Sequence, residues 1–145
     1  MGIGEIETTL RLLEANIKDL QQRVEGKQRD RLLVSHVWMQ DMLEKRVKGE
    51  LKTLHTELEL LKKQGVDSSM ENNVVMSSKY CVELAKAFQR LIEAHKEQKS
   101  IAYIEADWNQ TLPVILDRFS HLKNRVSILK GLSQKKQDED EWLDF

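Results

Sequence analysis

The stretch IGEIETTLRLLEANIKDLQQRV, residues 3–24, decides the fold. Its apolar residues recur at alternating intervals of three and four, which is the spacing of a helical seam that packs against other helices. They are Ile3, Ile6, Leu10, Leu13, Ile17, Leu20 and Val24. A less strict version of this spacing recurs over residues 33–61, the same spacing is kept over 74–95, and a new seam runs over 101–129. The chain is therefore predicted to be all-α.

The composition favours the same fold class. One proline and six glycines in 145 residues leave few turns, and a chain that is 40 % hydrophobic and 32 % charged has the balance of a folded, helix-rich protein. A net charge of −1 without a basic stripe predicts no nucleic-acid partner. Because no apolar run approaches membrane-spanning length and Cys81 is the single cysteine, we expect no membrane insertion and a cytoplasmic location, with association with the cytoskeleton as a further expectation.

One helical domain, residues 1–132, is predicted to consist of two arms, about 3–64 and 72–132, joined by a turn at 65–73. Lys62, Lys63 and Gly65 have the character of a helix end, and the polar residues Ser68, Ser69, Asn72 and Asn73 are candidate caps for the next helix.

Two architectures fit these arms: a long antiparallel helical hairpin, or a coiled-coil-like bundle of three to four helices. Both are weakened or kinked near 26–30 and 109–113, and at Pro113 the helix either kinks or stops and restarts with Thr111 as cap. The hairpin would have arms of ~60 residues, or ~90 Å. We favour it over the compact bundle because the break EGKQRD, residues 25–30, carries no proline.

Several apolar residues lie off the seams and need cover. In the hairpin other helical subunits would provide it, a hetero-oligomer being favoured over a homo-oligomer, whereas in a self-contained bundle they would fill the centre. They are Leu12, Leu32, Trp38, Met42, Leu60, Val75, Val82, Ile92, Val114 and Leu132. Trp38 is large enough to anchor an interface and is a candidate partner-binding residue.

The sequence carries no recognisable catalytic or metal-binding motif. The histidines His36, His55, His95 and His121 are dispersed, and Cys81 lies on a seam, where a thiol acts as a small hydrophobe. We therefore predict no enzymatic activity, no cofactor and no metal. The prediction would be reopened if the fold brought two or more of these five side chains to one pocket.

The C-terminal segment, residues 133–145, is predicted to be a flexible acidic tail. From Gln134 to Phe145 there are two bases and five acids, a net charge of −3 that leaves +2 for the rest of the chain. Large apolar residues stand among these acids, and a Trp inserted in a pocket can dominate a binding energy while acids steer it onto a basic rim. The candidate partner-binding residues are Asp140, Glu141, Trp142, Leu143 and Phe145. Alternatively, the tail folds onto this protein's own helices or extends a seam into a partner subunit.

The tail resembles three kinds of binding peptide. Acids followed by a near-terminal Trp142 resemble the tails of Wiskott–Aldrich-type nucleation-promoting factors, which implies a branched-actin-nucleating complex as partner. The tail is also similar to tryptophan-acidic peptides read by kinesin light chains, although Leu143 intervenes before the next acid. It resembles autophagy-modifier-interacting motifs as well, with Phe145 where an aliphatic residue is usual.

The predicted function is a non-enzymatic protein–protein interaction subunit of a larger intracellular assembly of cytoskeletal, motor-adaptor or kinetochore type. It would pair through its helical seams and engage a further partner, one with a basic-rimmed apolar pocket, through the tail. One alternative is a subunit of a vesicle-tethering or organelle-positioning complex. The other is a monomeric regulator whose bundle only carries the tail.

Overall fold

A computed structural model describes the backbone of residues 2–25, 36–97 and 100–143, and the side chains of 2–25, 38–97, 100 and 102–135. Within these ranges there is no β-strand, and the all-α prediction is confirmed. The helices are α1 (Ile3–Glu25), α2 (His36–Asp41), a π-helical segment π1 (Met42–Val47), α3 (Lys48–Lys63), α4 (Ser68–Lys96) and α5 (Ile101–Leu143). Because α2, π1 and α3 follow one another without a break, they form one rod.

Helix α1 and the rod formed by α2, π1 and α3 run antiparallel. On α1, the Asn16 amide donates to both carboxylate oxygens of Glu50 at 2.7 and 2.8 Å. The Thr9 hydroxyl donates to Glu57 on α3 at 2.6 Å. Since the earlier residue of α1 meets the later residue of α3, α1 folds back along α3.

The last helix closes the bundle. On one side of α5, Lys123 pairs with Glu14 of α1 at 2.8 Å. On the other side, the Arg125 guanidinium donates to the Asn73 side chain of α4 at 3.1 Å. Helices α3 and α4 are also in contact along their length, so α1, α3, α4 and α5 form a ring of antiparallel neighbours. This is an up-down-up-down four-helix bundle.

The preference for an elongated hairpin was therefore wrong, and the compact alternative is present. The second arm breaks at the slip in spacing near Lys99: α4 ends at Lys96, and α5 begins at Ile101 with the Ser100 hydroxyl accepting the Tyr103 N–H at 3.3 Å. Arg90 of α4 pairs with Asp107 of α5, and Glu83 of α4 pairs with Arg118 of α5, so the two helices run antiparallel and the chain reverses between them. The first predicted weak point, residues 26–30, lies outside the described residues.

The predicted central turn is present, with a different cap. Helix α3 ends at Lys63, and Gly65 adopts a φ of 81°, the left-handed conformation that favours glycine. The carboxylate of Asp67 accepts the Met70 N–H at 3.1 Å and caps α4. Asp67, rather than any of the four predicted serines and asparagines, is therefore the cap.

The seam residues form one internal core. Leu13, Leu54, Leu84, Trp108 and Ile115 are each 0 % exposed. Burying such side chains is the main favourable contribution to folding, at about 1.5–3 kcal/mol each.

The off-seam residues differ in how far they are exposed. Met42 and Ile92 are buried in the core, as the self-contained bundle requires. Four remain exposed on the outside: Leu12, Val75, Val82 and Val114. Leu60 and Leu132 are half-buried, and Leu32 lies outside the described residues.

Helix α5 is longer than its bundle neighbours. It passes through Pro113, so the helix does not stop and restart there; Thr111 is buried rather than a cap, and a bend at this level stays a prediction. Its backbone is helical as far as Leu143, beyond residue 133, where the flexible tail was predicted to begin. The side chains after Lys135 are outside the described set, and tail mobility stays a prediction.

Candidate protein interaction sites

An apolar groove runs between α3 and α4 on the outside of the bundle, with a volume of about 430 Å³. We call it the α3–α4 groove. Its apolar part is formed by Leu51, Cys81, Val82, Ala85, Phe88 and Ile92. Its polar rim is formed by Lys48, Lys52, His55, Thr56 and Gln89. A groove of this size can take the large side chains of a peptide.

Small residues on α4 account for the groove. Cys81 and Ala85 are four residues apart and therefore lie one turn apart on the same helix face. Their short side chains leave space against α3, while the larger Val82 and Phe88 border that space. Val82 is 41 % exposed although it is a large aliphatic residue. The groove thus offers apolar surface to a partner.

The rim of the groove is positively charged. Lys48 and Lys52 are exposed, and among the described side chains neither forms an ion pair. An unpaired lysine keeps its charge available to an incoming anion.

A second groove, between α4 and α5, has fewer cationic side chains without an ion pair among the described residues. It has a volume of about 440 Å³ and contains Arg90 and Arg118. Arg90 pairs with Asp107 at 3.1 Å, and Arg118 pairs with Glu83 at 2.9 Å. Lys86, also in this groove, is exposed and has no ion pair among the described side chains. Since the two arginines are already paired within the chain, the α4–α5 groove offers one unpaired cation in the described part of the chain, against two in the α3–α4 groove.

The α3–α4 groove brings together His55 and Cys81, which is the condition that reopens the question of catalysis. Burial raises the pKa of the Cys81 thiol to about 12, and the side chain is 2 % exposed. The His55 imidazole lies 4.0 Å from Glu59. Within the described part of the chain no base hydrogen-bonds the thiol, so Cys81 is held neutral and behaves as a small hydrophobe. The absence of enzymatic activity stays a prediction.

Two of the other histidines contact aromatic side chains of the bundle. His95 is buried and accepts a hydrogen bond from Trp108, and His121 stacks on Tyr80 with ring centroids 5.4 Å apart. The side chain of His36 lies outside the described set. No group of three or more His, Cys, Asp or Glu side chains suited to a metal ion occurs among the residues that were described. Nor does any described helix have the length and apolar character needed to span a membrane.

Trp38, a predicted interface anchor, is half-buried against the core. The guanidinium of Arg23 lies 3.5 Å from the centroid of its ring, in a cation–π contact between α2 and α1. One face of the ring is therefore covered within the chain. A partner-binding role for Trp38 stays a prediction.

The predicted tail residues are placed only in part. The backbones of Asp140, Glu141, Trp142 and Leu143 belong to α5, their side chains are outside the described set, and Phe145 lies beyond the described residues.

Sequence reasoning missed the α3–α4 groove. The available signal was the spacing of four between the small residues Cys81 and Ala85 on α4. The sequence does not show that they lie opposite Lys48 and Lys52, because that depends on which helices pack together.

Comparison of the chain with protein-family models, with curated proteins and with solved structures found no match in any of the three.

Proposed function

We propose that this protein is a non-enzymatic protein–protein interaction subunit whose self-contained bundle carries the acidic C-terminal peptide as its main binding element. The proposal is supported by the internal use of the seams. Residues such as Leu13, Leu54 and Ile115 are already buried against the chain's own helices, so pairing of these seams with foreign helices would require the bundle to open.

The observation that carries the proposal is the length of α5. Lys130 of α5 pairs with Glu7 of α1 at 3.2 Å, and in this antiparallel register Ile3, the first residue of α1, lies level with about residue 134. The backbone of α5 nevertheless continues to Leu143. These last nine or so residues, ~13 Å of helix, have no counterpart on α1. They are the acidic segment that contains Trp142.

The partner that this segment suits has an apolar pocket with a basic rim. Acidic residues accelerate encounter with such a rim, and a Trp at the centre of an interface supplies much of its stability. We therefore favour the tail-carrying regulator over a subunit that assembles through its seams. A cytoplasmic location, with cytoskeletal association, is part of the proposal.

The three resemblances of the tail provide the probes. The intact chain would be titrated against a purified branched-actin-nucleating complex, a kinesin light chain and an autophagy modifier, and compared with Trp142→Ala. We expect one probe to bind, with affinity at least about 30-fold weaker for Trp142→Ala. The matched control is Leu12→Ala, at an exposed apolar residue of the bundle, which should bind normally. Equal binding by the wild type and Trp142→Ala would contradict the role of the tail.

A second candidate function is favoured by the exposed apolar residues. Leu12, Val75, Val82 and Val114 are each at least 41 % exposed. A larger assembly of cytoskeletal, motor-adaptor, kinetochore, vesicle-tethering or organelle-positioning type would cover them. The two functions separate on truncation after Ser133. An assembly subunit should still be incorporated, whereas a tail-carrying regulator should lose its partner.

A further inference from the structure

We propose that the α3–α4 groove binds the acidic C-terminal peptide of a second copy of this chain, so that the protein self-associates through its tail. The proposal rests on the proposed function of the tail and names one partner for it. It is carried by the charge and shape of the groove and by the distance between the groove and the tail of the same chain.

Charge complementarity favours this occupant. The rim offers Lys48 and Lys52 without an ion-pair partner among the described side chains, and the segment Gln134–Phe145 carries a net charge of −3. The apolar floor of the groove is complementary as well: Val82 and Ala85 are exposed over the buried Leu51 and Phe88, and Trp142 would cover them. The basic-rimmed apolar pocket inferred for a partner is thus present on the protein itself.

Geometry selects a second copy over the same chain. Arg118 pairs with Glu83, so Cys81, at the near end of the groove, lies level with residues of α5 near 120. Leu143 lies about 23 residues further along the helix, which is ~35 Å at 1.5 Å per residue. The two residues that follow it span at most ~7 Å, so the tail cannot reach its own groove while α5 remains helical. A second molecule has no such restriction.

The α4–α5 groove is the weaker site for an acidic peptide, because its two arginines are paired and only Lys86 is left without an ion pair among the described side chains. Binding there would first have to compete with Asp107 for Arg90 and with Glu83 for Arg118. At Lys48 and Lys52 an acidic peptide would have no ion pair to break in the part of the chain that the structure describes.

The test is sedimentation equilibrium of the full chain at low and high salt, up to about 1 mM, the weak end of ordinary affinities. We expect concentration-dependent association that weakens with salt, because screening reduces the attraction between exposed charges. Trp142→Ala and the double variant Lys48→Glu/Lys52→Glu should each weaken association at least about 30-fold. The matched control, Lys62→Glu/Lys63→Glu, makes the same charge change on α3 outside the groove and should leave association intact.

A complementary charge exchange separates direct contact from a loss of folding. The tail variant Asp140→Lys/Glu141→Lys should not self-associate, because its basic tail meets a basic rim. Combined in one chain with Lys48→Glu/Lys52→Glu, it should self-associate again, since each molecule then offers a basic tail and an acidic rim. Circular dichroism would verify that every variant is folded.

Three results would overturn the inference. They are a chain that remains monomeric over the whole concentration range, association that persists in Lys48→Glu/Lys52→Glu, and a concentration-independent blue shift of Trp142 emission in a monomer, which would place the tail on its own chain. If a foreign probe still binds through Trp142 in any of these cases, the proposed function stands and only the second-copy partner fails. If Trp142→Ala changes neither foreign binding nor association, both fail.

Discussion

The indole N–H of Trp108 donates a hydrogen bond to Nε2 of His95 at 3.0 Å inside the bundle. Both side chains are almost fully buried, and their rings meet edge to face at a centroid distance of 6.2 Å. Because Nε2 accepts this bond, the imidazole is neutral with its proton on Nδ1. The contact joins α4 to α5 near the turn that connects them and satisfies a polar group that would otherwise destabilise the core.

Trp108→Phe should lower the free energy of unfolding by about 2–4 kcal/mol, because it removes buried atoms and leaves Nε2 of His95 without its donor. Urea denaturation would measure this. A double-mutant cycle with His95→Leu isolates the hydrogen bond and should give a coupling energy of about 1 kcal/mol. Strictly additive effects would show that the bond contributes nothing to stability.

Glu14 should stabilise the bundle above the pH range in which it protonates. The hydrogen bond from Lys123, with a further contribution from Lys18, lowers the pKa of Glu14 below its usual 4.5. Since the folded-state pKa is the lower one, this stabilisation is present above pH 4.5 and is lost as the pH falls through the lowered value. Glu14→Gln should therefore cost about 0.5–1 kcal/mol near neutral pH and almost nothing in strong acid.

Urea denaturation of the Glu14→Gln variant at several pH values would measure this difference. The control is Asp19→Asn, at an exposed acid on the same helix with no ion pair within the described residues. It should change stability little at any pH. A Glu14→Gln cost that is independent of pH would contradict the role of the ion pairs.

Cys81 should react slowly while the protein is folded. Desolvation raises its pKa from 9.0 to about 12, so the thiolate fraction near pH 8 is reduced roughly 10³-fold. The rate of reaction with an aromatic disulfide reagent would be followed by absorbance. The same protein in concentrated urea is the control and should react at the rate of an ordinary thiol. Comparable rates in the two conditions would indicate that the groove opens readily.

Pro113→Ala should stabilise the protein. Proline within a helix lacks the N–H that would bond four residues back and clashes with the preceding turn, at a cost of about 3 kcal/mol. Pro113 is exposed and its helix continues on both sides, so Ala should recover about 1–3 kcal/mol, measured as a higher unfolding midpoint. Val114→Ala, at the exposed neighbouring position, should change stability by less than about 0.5 kcal/mol. Destabilisation by Pro113→Ala would show that the bundle depends on a bend at this residue.

The fold class followed from the sequence because the spacing of residues such as Leu13, Leu54 and Trp108 can be satisfied only by helices with one apolar stripe. The same spacing does not show which helix packs its apolar stripe against which other helix. The slip near Lys99 was visible in the sequence, but only the structure shows that it reverses the chain.

Of the two candidate binding elements, the sequence indicates one and only the structure shows the other. Trp142 is distinctive in the sequence because it is a large apolar residue among acids. The α3–α4 groove is not, because Cys81 and Lys52 are ordinary residues until two helices bring them together.

By itself, then, the sequence determined the helices, the turn around Gly65 and the chemical character of the tail, since each depends on residues that are near neighbours along the chain. Only the tertiary structure decided between hairpin and bundle, left Val82 exposed while burying Ile92, and set the basic rim beside an apolar floor. Those outcomes depend on contacts between residues far apart in the chain, and their free energies are determined by how the helices pack together.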